Sequence, residues 1–534
     1  MQMVQIGDGS NQRPSAETVG AKAASLARMA AIGLPVPPAF VVPIELCAAI
    51  VRNDASARRQ LSDGLATGIA FLEQTTSKKF GDRRRPLLVS VRSGAARSMP
   101  GMLDTVLNVG CTPEATDGLV RMTGHPRFAW DCRRRFLESF GSVVLGIDPA
   151  LFGRVRAQMI AAEIVEGERQ LDGEAIERLA KAFQQVIENT DSAVSNDPME
   201  QLTAAARGVY RSWNSARARA YRELQHLDDL KGTAVTVQAM VFGNRGASSG
   251  AGVAFSRDPS TGRMEPVIEV LFDSQGEDVV SGSRTPETEQ AIYRSAPAAA
   301  AQLREILVQL EREFGDVQDV EFTIEDGKLW ILQTRSAKRT PQAALQFAID
   351  FVRDGLITPL QALQRVDELD PNALARRHLV ACGEPTARGT GASMGIAVGR
   401  AAFDSESAKR LNACAGPVIL VRPDTSTADV EGFAVSEGIV TAIGGRTAHA
   451  ALVARQMGKP CIVGCAGLTI DVENRQAQLL GNRIKEGDWL SIDGAAGTIY
   501  LQQCNIAIDR PEAKLAEIER WRTSLALAQP AAQH

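Results

Sequence analysis

Between Cys382 and Gly391 the chain reads Cys-Gly-Glu-Pro-Thr-Ala-Arg-Gly-Thr-Gly. Three glycines and a proline within ten residues stop a helix or a central strand, because glycine disorders the backbone cheaply and proline lacks the N–H that either ladder needs. The stretch marks a boundary or hinge, and it divides 534 residues, already too many for one hydrophobic core. From the start to about residue 340, strand-like runs mix with long amphipathic helices, as in a large α+β domain. Gln342–Val352 carries apolar residues at helical spacing, and 341–382 reads as a helical connector throughout. Residues 383–509 read as short β runs separated by turns, with one clear helix. The tail, 510–534, is charged and then Ala/Gln-rich, and is expected to fray. No internal repeat of fixed period is present.

Composition removes several classes of function. Lys and Arg number 59 against 63 Asp and Glu, a net charge of −4. That argues against a nucleic acid or an anionic membrane as partner through bulk charge, while leaving room for a local basic pocket. No apolar run approaches bilayer length, and the first residues show neither the charged n-region nor the apolar h-region of a secretory leader. The eight cysteines are scattered, the closest pair being Cys461 and Cys465. Such usage fits reduced thiols in the cytoplasm, and no second Cys/His pair stands at zinc-ligand spacing.

Four segments carry groups suited to phosphate. Ala16–Met29 reads as a helix stopped by Gly33 and Pro35, with Lys22 near its first turn, where an ammonium and the helix's positive end act on the same anion. A lone lysine is more often a solvated surface group. Leu87–Val91 is a buried-strand run opening onto Arg92-Ser93-Gly94-Ala95-Ala96-Arg97-Ser98, a donor-rich anion clamp or, more plainly, a structural loop. Val237–Phe255 has the form of a strand, a glycine-studded turn and a second strand, suited to a loop over triphosphate, though most such hairpins are only hairpins. The fourth segment, Asp319–Arg335, alternates strictly. Asp319 and Glu321 share one face, Val320, Phe322 and Ile324 the other, and Asp326-Gly327 marks the turn. A two-residue loop would pair 321 with 332 and put Gln333 and Arg335 on the opposite face. A three-residue loop, Glu325-Asp326-Gly327, pairs 319 with 333 and gathers all four polar groups. We favour the latter, which assembles Mg²⁺ ligands beside a phosphate-binding arginine; a solvated strand face is the alternative.

Of the five histidines, 125, 226, 378, 449 and 534, His449 stands apart by context. The strand run Ile439–Ile443 leads into Gly444-Gly445-Arg446-Thr447 and then a short helix, capped by Thr447 and closed by Gly458 with Pro460 beyond. His449 lies in the first turn. The helix dipole disfavours imidazolium there, leaves a nucleophilic neutral ring, and favours a phosphoryl group once attached. The ordinary alternative is a capping or core histidine; the glycines of the turn and the adjacent Arg446 weigh against it. Cys461 and Cys465 straddle the next strand as small core residues.

Taken together, the segments resemble the pyruvate, phosphate dikinase family over nearly the whole chain. The resemblance rests on Gly33-Leu34-Pro35-Val36-Pro37-Pro38, Ser90–Ala96, Met99–Asn108, Gln275–Val280, Gln333-Thr334-Arg335 and Gly444–Ala450. It implies an α+β multidomain chain: an ATP-grasp nucleotide-binding domain over 1–340, the connector, and a β-rich swivelling phosphohistidine domain over 383–509. It implies that His449 takes a phosphoryl group from ATP, leaving AMP, and that phosphate receives the other as pyrophosphate. His449, Arg92 and Thr447 would form the catalytic set. Lys22, Arg92 and Arg335 would bind phosphates, and Met240 and Val241 would line the adenine slot. Asp319, Glu321 and Gln333 would hold nucleotide and metal, with Mg²⁺ on Asp319 and Glu321, and Glu277 and Asp278 are weaker candidates for nucleotide contact.

The departures bear on function. Family members continue into an α/β barrel that binds pyruvate and phosphoenolpyruvate; that acceptor site is expected on a separate domain or chain, and a homodimer is compatible with the pattern. Ala21 and Ala23 replace glycines, Met394 replaces a proline, and Arg446 and Ala448 stand where Met and Ser are usual. Arg446 would either add a phosphate contact or pair with a carboxylate. Two other functions are consistent with the modules. One is an ATP-dependent small-molecule phosphotransferase similar to the rifampin phosphotransferases, although 341–380 is too short for their extra substrate domain. The other is a non-catalytic nucleotide sensor or phosphocarrier, against which the joint retention of Lys22, Arg92, Asp319, Glu321 and His449 argues.

Overall fold

The run Thr233–Ala239 is β-branched or small at every position but Gln238 and is buried along its whole length. In the computed structural model, which describes all residues except 1–2, 10, 98, 100–101, 281–284, 368, 370–373, 375, 426–428, 447 and 529–534, it forms the centre of a five-stranded antiparallel sheet. The order is Val4–Ile6, Ala39–Val42, Thr233–Ala239, Val89–Ala95, Thr105–Val109. Amphipathic helices, among them Ala55–Thr76, Pro126–Val143, Gly173–Glu188 and Pro198–Ser212, bury Leu65, Phe136, Phe183 and Val209 against Phe40, Val91 and Val237 in one core. Gly68 makes the closest of these packings possible, since a Cβ there would stand 2.5 Å from the ring of Phe40. These elements belong to a first compact unit, residues 1–245 with 330–334.

The second unit, 246–329 with 335–534, contains two larger sheets. One has, within this unit, the order Glu287–Thr288, Val267–Phe272, Gly250–Phe255, Gln318–Glu325; the chain then turns into Lys328–Ser336, whose residues 330–334 are counted with the first unit. The glycine-rich stretch 237–255 is therefore not a hairpin: its first strand ends in the first unit's sheet, and Gly250–Phe255 begins in another. Thr233–Ala239 pairs with Ala39–Val42 and Val89–Ala95, and Gly250–Phe255 with Val267–Phe272 and Gln318–Glu325. The turn after Gln318–Glu325 also differs from our preferred reading. It has two residues, Asp326 (φ +49°) and Gly327 (φ +77°), the paired left-handed conformation that suits strand twist, and Asp tolerates it well.

The other sheet has eight strands in the order Ala387–Arg388, Thr498–Tyr500, Trp489–Asp493, Ile396–Ala402, Val418–Arg422, Gly438–Thr441, Cys461–Val463, Thr390–Ser393. Its centre, from Ile396–Ala402 to Cys461–Val463, is parallel. Parallel neighbours need crossovers, so this region holds three helices, Ser405–Ala415, Val430–Val435 and His449–Gln456, where the sequence reading finds one. Two further corrections concern the flanks. The connector is two helices, Pro341–Arg353 and Pro359–Val366, followed by a strand, Arg376–Val380, which pairs with Asn505–Asp509. Of the tail, where fraying is expected, Glu512–Ala528 is a helix whose Ile518 is buried with Phe347 and Phe351, and 529–534 lie outside the described residues. All eight cysteines are free thiols, and no helix among the described residues is long and apolar enough to cross a membrane.

Candidate active site

In the first unit, Gly20 (φ +83°) separates Ala16–Val19 from Ala21–Ala31, a break that the unbroken helix of the sequence reading lacks. A Cβ at Gly20 would stand 2.1 Å from the Gly94 carbonyl oxygen, so only glycine lets the second helix start against strand Val89–Ala95. That contact puts Lys22 in the first turn beside the strand that carries Arg92. Lys22, Arg92, Gln333, Thr236 and Gln238 line one pocket. Arg92 stands opposite Thr236 in the ladder, and its Nη1 donates to Gln238 Oε1 at 3.4 Å. Gln238 Nε2 in turn donates to the Pro37 carbonyl at 3.2 Å, which orients the amide. Thr236 is 5% exposed and its hydroxyl oxygen has no partner. Met240 and Val241 follow directly on this strand, with the Met240 N–H bonded to Leu88 O. Sequence reasoning missed Thr236 and Gln238. Their signal was present: two polar residues at period two inside a buried β run.

In the second unit Arg335 Nε donates to Asp319 Oδ2 at 2.8 Å, so the arginine reaches the aspartate although the two-residue turn is expected to put it on the opposite face. Asp319 is 4% exposed and its Oδ1 has no partner. Burial pushes its carboxyl above the ordinary range although Arg335 pulls the other way. Glu321 lies two residues along the same strand face. The pair fits Mg²⁺, which keeps several waters and takes one or two protein carboxylates together with phosphate oxygens; an orphaned carboxylate oxygen is the donor such an ion needs. Among the described residues no cluster of three or more His, Cys, Asp or Glu forms a fuller metal cage. Glu277 is exposed on the short helix Gly276–Val280, while Asp278 accepts from the Gln275 N–H at 2.9 Å and so closes its own turn. The candidate residues thus fall into two groups. Lys22, Arg92, Met240, Val241 and Gln333 belong to the first unit, and Glu277, Asp278, Asp319, Glu321, Arg335 and His449 to the second.

His449 is the first residue of its helix. Its N-cap is Ala448, with no side-chain cap, rather than Thr447, which lies outside the described residues. The His449 Nε2 atom is buried without a hydrogen-bond partner, and the ring meets Phe433 edge-on at 6.5 Å between centroids. Sequence reasoning also missed Asp424, which interacts electrostatically with His449 and whose carboxyl burial pushes upward, and Thr425, whose buried hydroxyl has no partner. Arg446 takes the carboxylate option: its N–H donates to Glu269 and its guanidinium lies 3.4 Å from Asp258. A histidine nitrogen left unsatisfied at a helix start is available as a nucleophile.

Residues 53–297 and 288–353 match the family described as pyruvate phosphate dikinase, AMP/ATP-binding domain. The chain belongs to this family. Residues 415–497, which include His449, match the mobile domain of PEP-utilising enzymes. The chain is 40% identical to the pyruvate, phosphate dikinase of Clostridium symbiosum over 90% of its own length and 56% of that protein's. Against the chloroplastic enzyme of Flaveria trinervia the identity is 42%, over 93% and 52%. Against that of Rhizobium meliloti it is 39%, over 95% and 58%. The chain therefore spans about half the length of the curated dikinases it matches.

Proposed function

We propose that this chain catalyses the ATP-consuming half of a dikinase reaction. His449 Nε2 attacks the β-phosphorus of ATP, the α–β bridging bond breaks, and AMP departs. Phosphate then takes the γ-phosphoryl group as pyrophosphate, which leaves the β-phosphoryl group on the histidine. The observation that carries this reading is the unsatisfied Nε2 of a histidine at the first position of a helix, within the segment that matches a mobile domain. Lys22, Arg92 and Arg335 bind and orient the phosphates, with Thr447 beside the nucleophile. Met240 and Val241 receive the adenine, and Gln333, Glu277 and Asp278 complete the nucleotide contacts. Asp319 and Glu321 hold Mg²⁺, which when bound supplies charge neutralisation at the phosphate oxygens. The division into an ATP-grasp domain (1–340), connector (341–382), swivelling phosphohistidine domain (383–509) and tail (510–534) belongs to the same reading. So does delivery of the phosphoryl group to pyruvate or another acceptor on a separate domain or chain, in a cytoplasmic protein that acts as a homodimer.

The test is incubation with Mg²⁺ and ATP labelled at the β-phosphate, with and without phosphate, beside His449→Ala. Protein label stable to alkali but lost in acid, formed with AMP and absent from the variant, is the expected result. ATP binding without label or AMP would overturn the catalytic reading in favour of a nucleotide sensor.

A further inference from the structure

Arg455 is 1% exposed, at the end of the helix that begins with His449. It is the largest fully buried side chain among the described residues. Its Nη1 donates to the Ala392 carbonyl and its Nη2 to the Arg446 carbonyl, both at 2.7 Å, while Nε has no partner. Its carbon centre lies 5.3 Å from the ring of Phe255. Among the described residues no carboxylate pairs with it directly, and Glu269, Asp319 and Asp258 act on it only through space. Burial brings its pKa down to about 10, so it stays charged at neutral pH.

A buried cation without a contacting anion is expensive, and an apolar side chain of similar volume would fill the same space at less cost. What such a residue cannot do is join two backbone segments through one planar fork. The two carbonyls are informative. Ala392 lies in Thr390–Ser393, the strand that leaves the glycine-rich stretch 382–391, and its oxygen also accepts from Ser260 Oγ at 2.7 Å. Arg446 lies three residues before His449; its N–H and guanidinium engage Glu269 and Asp258, the helix it precedes has no side-chain cap, and its carbonyl is the group that the Arg455 guanidinium takes. The guanidinium therefore reaches back along its own helix and ties the loop before the nucleophile to the strand after the hinge.

We propose that Arg455 is a positioning residue for phosphoryl transfer, fixing the Gly444–Arg446 turn against strand Thr390–Ser393 so that His449 Nε2 is held for attack. This rests on the reading of His449 as the nucleophile. It acts through the backbone and touches no substrate. Misplacement of a reacting group by an ångström is worth about 100-fold in rate.

The experiment compares wild type, Arg455→Met and Arg455→Lys in the β-phosphate labelling assay, with thermal unfolding and the histidine ring ¹⁵N–¹H spectrum of each. Wild-type labelling comes first; if it fails, the proposed function has failed and Arg455 has not been judged by this assay, so the spectrum decides. The expected result is a fall of about 100-fold in kcat for Arg455→Met with KM for ATP unchanged, partial recovery in Arg455→Lys, and a shifted His449 signal in both. The proposal is overturned if Arg455→Met labels within two-fold of wild type, if its rate falls only in step with KM and unfolding temperature, or if the His449 signal is unmoved.

Discussion

Two buried aspartates, each in contact with arginine, behave in opposite ways. In the first unit Asp131 has both oxygens engaged. Its Oδ1 accepts from Arg134, and its Oδ2 accepts from Arg135 Nε at 3.0 Å and Asn244 Nδ2 at 2.8 Å. The two guanidinium groups overcome burial and hold its carboxyl well below the usual range. In the second unit Asp319 has one arginine, one unsatisfied oxygen and a carboxyl held above that range. Satisfied lone pairs make a structural node. An unsatisfied pair member, kept ionisable against the cost of burial, marks a place where a cation or ligand completes the shell.

The comparison can be broken by substitution, and the largest effect belongs to the satisfied site. Asp131→Ala removes the carboxylate that accepts from Arg134, Arg135 and Asn244, leaves Arg134 only Glu138 and Glu168, and is expected to cost roughly 3–5 kcal/mol of stability by denaturant unfolding, since several buried charge-assisted hydrogen bonds are lost at once. An unchanged unfolding midpoint would remove the distinction. Asp319→Ala should lower the labelling rate by about 10²–10³-fold with a much smaller change in stability. Unfolding of Asp319→Ala as large as that of Asp131→Ala would make Asp319 a structural residue after all. Thr236 sharpens the rule in the first unit, because its hydroxyl is also buried and unsatisfied. Thr236→Val should leave the ligand-free protein as stable or more so, and weaken ATP binding by about 1 kcal/mol, measured by calorimetry.

The smallest effect is in the acid limb of stability, where the signs should differ. Asp131 has a depressed folded-state value, so its contribution is complete above the ordinary 3.8 and is lost as pH falls below it. Asp319 has a raised value, so its ionised form weighs against the fold at neutral pH and acid relieves that as pH falls through the raised value towards 3.8. Asp131→Asn should therefore flatten the loss of stability in acid, and Asp319→Asn should remove a gain. Unfolding midpoints across that range decide it, and identical slopes would sink the contrast.

The strands and helices that bear the candidate residues were legible wherever periodicity was clean. Gln318–Glu325 with Asp319 and Glu321, and the helix that begins at His449, follow from local pattern, whereas the strand read over Leu87–Val91 runs on through Arg92 to Ala95, where a loop is expected. The failures share a cause. Asp-Gly suits both a two-residue and a three-residue loop, and the register follows from which is built. The glycines of 243–252 read as a hairpin because nothing local says that the flanking strands belong to different sheets. Gly20 ends a helix that composition alone would continue, because what breaks it is the backbone of Gly94, 74 positions away.

Residue type and short-range order by themselves determined the chemistry on offer: a histidine opening a helix after glycines, alternating carboxylates on a strand, and arginines after a buried β run. These are effects of a few bonds' reach, and they survive without knowledge of the fold. Only the tertiary structure decided which polar atoms stay unsatisfied. That Thr236, Asp319 and His449 each keep a buried atom without a partner, while Asp131 keeps none, depends on neighbours brought in from remote positions. The same holds for Arg455, a basic residue in the last turn of its helix. Burial turns it into a fork between two carbonyls, because hydrogen-bond satisfaction is a property of packing and not of the chain.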